Sequence, residues 1–173
     1  MRIIMTYFCI AATLSYSCNM TMSPAQENNE FNMPEFFQKE ADRLQNLNPT
    51  VSKIVSNEKS KESKDLKIKN WNKELAQFTI VDINKSGNSD FKRVQKGDTI
   101  IYSSAYKNPV TVKIVLNDGS PSEISIYKKS QNLLFTNEEF LHYSTGLSYT
   151  IDKRQQVKGM GKNRYLIQGK IHQ

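Results

Sequence analysis

From Val110 to Leu116 the chain alternates. Val110, Val112, Ile114 and Leu116 fall on one side, and Thr111, Lys113 and Val115 on the other. A period of two is the mark of a β-strand with one buried face. Asn117-Asp118-Gly119 then turns the chain, because Asp-Gly tolerates the positive φ of a tight hairpin, and Ile124 and Ile126 resume the pattern. Upstream, Phe91 to Gln95 and Thr99 to Tyr106 flank Lys96-Gly97-Asp98. Downstream come Leu133 to Phe135, Phe140 to Thr145 and Leu147 to Asp152, with Gly146 between the last two. Gly159, Gly161 and Asn163 mark another turn, and Arg164 to Ile171 closes the chain with Tyr165, Ile167 and Ile171 on one face. Alternation sustained over so many segments implies an antiparallel meander with one wet and one dry face.

The dry face needs a cover, and two amphipathic stretches can supply it. Pro34 to Leu47 reads as a helix with Phe37, Ala41 and Leu44 as its apolar stripe, Phe36 and Leu47 at its border, and Asn48-Pro49 as its stop. Asn70 to about Val81 reads as a second helix, capped by Asn70, with Trp71, Leu75 and Phe78 on one face. It carries the only tryptophan and is expected to be the central packing element. Between the helices, Thr50 to Asn57 and Lys64 to Lys69 form a hairpin at a sheet edge. Glu58 to Ser63 is its exposed link, and lysines discourage further strand pairing. The expected class is α+β: an antiparallel β meander packed against one or two helices, preceded by a signal peptide and a flexible tether.

That preface rests on residues 1–18. Arg2 supplies a basic start, Ile3 to Leu14 an uncharged apolar run too short to span a bilayer, and Ser15-Tyr16-Ser17 lead to Cys18. Residues 1–17 read as a signal peptide, 18–33 as a lipidated tether and 34–173 as one domain. Removal of the signal takes Cys9 with it and leaves Cys18 as the sole cysteine, so no intramolecular disulfide can form. Thioether lipidation of Cys18 accounts for a lone exported thiol; plain secretion after Ser17 is the alternative. Asn19 to Asn32, polar and containing Pro24, suits a tether.

Cys18 with this order of features, followed by Leu-Lys-Ile-Lys-Asn-Trp at 66–71, Asp82-Ile83-Asn84-Lys85 and a strand meander, resembles small uncharacterised envelope lipoproteins of Bacteroidota-type bacteria. The lipobox departs from the usual form, with Ser15 and Tyr16 at the two positions before Ser17 and Leu14 displaced by one. The resemblance implies a bacterial envelope lipoprotein, anchored in the outer membrane, and brings no catalytic residues with it.

The formal charge is +7, carried by scattered lysines such as Lys53, Lys59, Lys61, Lys64, Lys67 and Lys69. They read as a solvated surface. Attraction to anionic phosphate, lipopolysaccharide or an acidic glycan is the sharper reading of the charge. Export argues against nucleic acid, and the partners expected are the membrane, through the N-terminal lipid, and an envelope protein or glycan.

Motifs for chemistry are sparse. Asp82 to Asp90 matches an EF-hand loop at several positions but has Arg93 where the bidentate glutamate belongs, so a polar loop is the better reading. Gly159-Met160-Gly161-Lys162 has the wrong spacing for a phosphate loop and reads as a hairpin turn. Ser125-Ile126-Tyr127-Lys128 has the Ser-x-x-Lys spacing, but in a strand those two side chains point to opposite faces. His142 shares a face with Phe140 and Ser144, and His172 lies next to the terminus in a stretch expected to be mobile. Glu138-Glu139 reads as a solvated turn. Tyr102, Tyr106, Tyr127, Tyr143, Tyr149 and Tyr165 read as ordinary strand formers, with sugar or peptide stacking as the sharper alternative.

No catalytic residue, cofactor or metal ligand is assigned, and Cys18 is the one modification site. The leading expectation is a lipid-anchored, non-catalytic binding or adaptor module. A carrier of an apolar ligand in a curved sheet is the alternative, distinguishable by an apolar cavity in place of a filled core. A hydrolase would need a cleft that sets His142 beside a nucleophile or carboxylate.

Overall fold

A computed structural model describes residues 30–85, 91–104 and 108–172. The signal peptide, Cys18 and most of the tether lie outside the described residues, as do Tyr106 and the second half of the EF-hand-like loop.

Helix α1 spans Met33–Leu47. Asn32 caps it by accepting from the Glu35 N–H at 3.1 Å, and Pro34 occupies its first turn. It stops at Asn48, which adopts the left-handed conformation at φ 46° before Pro49. The expected stripe is buried, with Met33 added at its head.

The second helix is shorter than its pattern suggests. Helix α2 covers Trp71–Leu75, capped by Asn70 through the Lys73 N–H at 2.8 Å, and tightens into a 3-10 turn over Ala76–Thr79. Thr79-Ile80-Val81 explains the early end, since consecutive β-branched residues resist the helical turn. Val81 and Ile83 instead enter the core from the irregular segment and turn that follow.

Among the described residues, nine strands form one sheet. The first hairpin pairs β1 (Thr50–Asn57) with β2 (Lys61–Lys67), so its link is only Glu58 to Ser60. Strands β3 (Lys92–Lys96), β4 (Thr99–Ser104), β5 (Val110–Asn117), β6 (Ser120–Gln131), β7 (Phe135–Ser144), β8 (Ser148–Val157) and β9 (Gly161–His172) make a continuous meander. The order is β2-β1-β9-β8-β7-β6-β5-β4-β3, and each neighbouring pair is antiparallel. The early hairpin therefore docks on the last strand, with Val51 opposite Ile171 and β2 outermost. Leu133 and Leu134 are not strand. They sit in the β6–β7 turn, where the Asn132 side chain accepts from the Leu134 and Phe135 N–H groups.

The helices lie on one face, called inner here. Two cross-strand rows meet them: Val112, Ile126, Leu141 and Ile151, then Ile114, Ile124, Tyr143, Tyr149 and Gly169. Phe37 and Phe78 stack at 4.9 Å and both meet the Tyr143 ring near edge-on. Trp71 meets Tyr149 edge-on at 6.4 Å. Gly169 is required where it stands, because a Cβ there would overlap the Tyr149 ring.

Three sheet tyrosines reach glutamates on the covering segments. Tyr143 donates to Glu40 of α1, Tyr149 to Glu74 of α2 at 2.6 Å, and Tyr102 to Glu30 at 2.8 Å. Arg43 pairs with buried Glu40, Lys53 with half-buried Glu74 and Arg93 with half-buried Glu30, so each carboxylate has a cation as well. Lys53 is thus not a solvated lysine. Burial pushes the Glu40 carboxyl upward, but hydrogen bonds from Arg43 and Tyr143 outweigh it and hold it below its ordinary value. The Tyr143 and Tyr149 hydroxyls are pushed far above theirs, by burial first and by the facing glutamates second.

Candidate functional site on the uncovered sheet face

Among the described residues, no helix lies on the opposite, outer face of β5–β9. Register places its side chains in three rows. Lys113, Ser125, His142 and Thr150 form the first, Thr111, Tyr127, Phe140 and Asp152 the second, and Lys129, Glu138, Arg154 and Arg164 the third. A depression of about 430 Å³ lies over the first two rows. A second, of about 700 Å³, lies over the third and reaches Lys162 and Glu58. Arg154 borders both.

Asp152 organises this surface. It is only 6% exposed. Arg154 donates to it through Nε and Nη2, at 3.2 and 2.7 Å, and Arg164 through Nε and Nη2, at 2.9 and 2.8 Å. The Arg164 fork is the main cause that holds the Asp152 carboxyl below its ordinary value, against burial, and the same pair raises Arg164. The Arg164 fork spans both Asp152 oxygens and Arg154 sets both its donors on Oδ2, and two bonds each hold the guanidinium planes. Arg154 also lies 4.9 Å over the Phe140 ring, and Phe140 packs against Tyr127 at 4.8 Å. Tyr127 donates to Glu138 at 3.3 Å, and Lys129 pairs with Glu138 at 3.4 Å. The result is an apolar floor edged by fixed cations and by the hydroxyls of Thr111, Ser125 and Thr150.

The residues singled out from the sequence are distributed unevenly. His142 does share its face with Phe140, and its Nδ1 lies 3.0 Å from Ser125 Oγ, a pairing that sequence spacing does not reveal. Lys128 points the other way, as strand geometry requires, and pairs with Glu139 at 3.0 Å on the inner face. Glu138 and Glu139 are therefore mid-strand and ion-paired, not a solvated turn. His172 is not a loose end: it closes β9 and its Nε2 lies 2.8 Å from Ser52 Oγ. The Gly159–Gly161 segment is a hairpin turn, with both glycines at positive φ. Asn84, in the EF-hand-like loop, ties its side-chain amide to the Glu30 and Phe31 carbonyls.

Asp152 lines the same depression as the Ser125–His142 pair, and guanidiniums hold both of its oxygens. Among the described residues, no group of three or more His, Cys, Asp or Glu side chains gathers to hold a metal ion.

Sequence reading missed the Asp152, Arg154 and Arg164 cluster. Counting outward from the Gly159–Gly161 turn pairs Arg154 with Arg164 and sets Asp152 diagonally behind, which is the signal that would have found it.

The class defined by these features is an α+β protein with a nine-stranded antiparallel sheet, roofed by helices on one face and patterned with charge and aromatic rings on the other. Comparison with protein-family models, curated proteins and solved structures gave no match for the chain. Among the described residues no helix is long and apolar enough to cross a membrane.

Proposed function

We propose that the chain is a lipid-anchored protein of the bacterial cell envelope, held in the outer membrane through Cys18, whose domain is a non-catalytic binding module. The observation that carries the binding reading is the Asp152-centred outer face. An aspartate buried in the middle of a strand fixes two arginines beside a Phe140–Tyr127 floor. Guanidinium planes recognise carboxylate and phosphate, and rings edged with hydroxyls suit sugar faces. The ligand class that fits is an acid-bearing envelope glycan. The N-terminal sequence supports the anchor, with its basic start, apolar run and Cys18, the cysteine that remains once the signal is removed.

The space that a carrier would need for an apolar ligand is taken up in the helix–sheet layer. Phe37, Trp71, Phe78 and Tyr143 are each at most 1% exposed there. A filled layer favours the binding module over the carrier.

Two measurements test the proposal. Membrane fractionation with intact mass, beside Cys18→Ala, should show an acyl adduct and membrane retention, both lost in the variant; a soluble unmodified chain would remove the anchor. Calorimetric titration with oligogalacturonates and phosphorylated oligosaccharides should give heats that vanish in Phe140→Ala and Arg154→Ala. Binding to acidic peptides alone would move the ligand class to protein.

A further inference from the structure

Two hairpin tips at one end of the sheet are apolar where turn geometry asks for nothing apolar. In the β6–β7 tip, Asn132 makes the turn, accepting from the Leu134 and Phe135 N–H groups at 2.8 and 2.9 Å. In the β8–β9 tip, Gly159 and Gly161 make it, at φ 81° and 95°. The residues carried on these turns, Leu133, Leu134 and Met160, are 92%, 69% and 86% exposed. Polar side chains would serve the same backbone. The tips are also joined, since the Lys158 N–H donates to the Leu134 carbonyl at 2.9 Å. Leu133, Leu134 and Met160 therefore sit on one edge of the molecule, with Phe135 and Val157 paired at its base.

Within the two tips the charge has one sign: residues 130–137 and 155–163 include Lys158 and Lys162 and no aspartate or glutamate. Glu58 borders the same depression as Lys162. On the neighbouring outer face Lys129 pairs with Glu138, and Arg154 and Arg164 pair with Asp152. Grouped, exposed apolar side chains mark a contact surface, and lysines carried on the same turns suit an anionic lipid surface.

We propose that the two tips dock on an anionic bilayer, with Leu133, Leu134 and Met160 entering the acyl boundary and Lys158 and Lys162 meeting lipid phosphates. This contact does not require Cys18, and its apolar residues lie outside both outer-face depressions. In an anchored chain it would set which way the domain faces.

The test places a reporter at the tips of the full chain. Leu133→Trp and Met160→Trp are compared with Gln95→Trp, on exposed strand β3, against a constant signal from buried Trp71. Vesicles of phosphatidylglycerol with phosphatidylethanolamine should shift the emission of the two tip variants to the blue, and bromine on the acyl chains should quench it. Gln95→Trp should respond to neither. Phosphatidylcholine vesicles should give little shift. Adding Lys158→Glu and Lys162→Glu should weaken the response by well over tenfold, at about fivefold for each lysine lost near such a surface. An unshifted emission at both tips would overturn the proposal, as would an equal shift at position 95. A shift that grows with protein concentration without vesicles would also overturn it and assign the tips to a second copy of the chain. Because the readout is local, attachment through the N-terminal segment does not mimic it.

Discussion

Strands β6 to β9 are one set of ribbons with two regimes. At one end, their inner side chains are Ile124, Tyr143, Tyr149 and Gly169, sealed beneath helices. At the other end, the inner row is Ser130, Asn137, Gln155 and Asn163, with Lys128, Glu139 and Lys153 between the two regimes. Lys153 marks the border, donating to Gln77 at the end of the helical cover at 2.6 Å. Backbone pairing continues through both regimes. What changes is the chemistry a neighbour demands: under the helices, volume and a tyrosine hydroxyl to satisfy a glutamate; beyond them, charge that water or a ligand can share. The sealed end holds the fold, and the open end and outer face are free to make contacts.

Breaking the sealed end should cost most. Phe37→Ala or Trp71→Ala should lower unfolding free energy by about 3–5 kcal/mol, read by urea denaturation, since each leaves a cavity among packed rings. Gly169→Val should cost about 1–3 kcal/mol by driving Tyr149 off its seat. A value near zero for either would place the core elsewhere.

The tyrosine–glutamate links come next. Tyr143→Phe should cost about 1.5–3 kcal/mol, the range for a buried hydrogen bond to a charged group. Their pH dependence has a definite sign. Glu40 and Asp152 are held below their unfolded values, so the unfolded state takes up protons first as pH falls. Their contribution is full above about 4.3 and 3.9 respectively and is lost as pH drops through the folded values. Glu40→Gln and Asp152→Asn should each flatten the acid limb of a stability–pH curve. An unchanged limb would mean that neither carboxylate is held as described.

Much of this was readable in the chain. Period-two patterning gave the meander, and Asn70, Asn48 and Gly146 marked real boundaries, because local propensity and tertiary demand agree there. The pattern after Asn70 reads as a longer helix than forms, since Trp71, Leu75 and Phe78 fit a helix whether it closes as α or as 3-10, and only Thr79-Ile80-Val81 hints at the end. Leu133 and Leu134 read as strand because apolar residues at a turn carry no local warning. The outer-face site was the least visible. Asp152, Arg154 and Arg164 meet only through the β8–β9 register, and Ser125 finds His142 only through β6–β7 pairing. Such contacts depend on which residues face each other across strands, and a single sequence states that only near its turns.

The open face should behave in the opposite way to the sealed one. Phe140→Ala and Arg154→Ala should change stability by no more than about 1 kcal/mol, in keeping with partly exposed positions, while abolishing ligand binding. Smallest of all, Leu133→Ser should leave stability within about 0.5 kcal/mol, which a thermal melt would check. Large losses in either group would erase the distinction between the two regimes.

The most direct test is chemical-shift mapping of the labelled chain as an acidic oligosaccharide is added. The expected result is a contiguous set of perturbed resonances at Tyr127, Phe140, His142, Arg154 and Arg164, with Phe37, Trp71 and Tyr143 unmoved. Perturbation centred on the helices and the inner core, or no perturbation at saturating ligand, would contradict a binding role for the outer face.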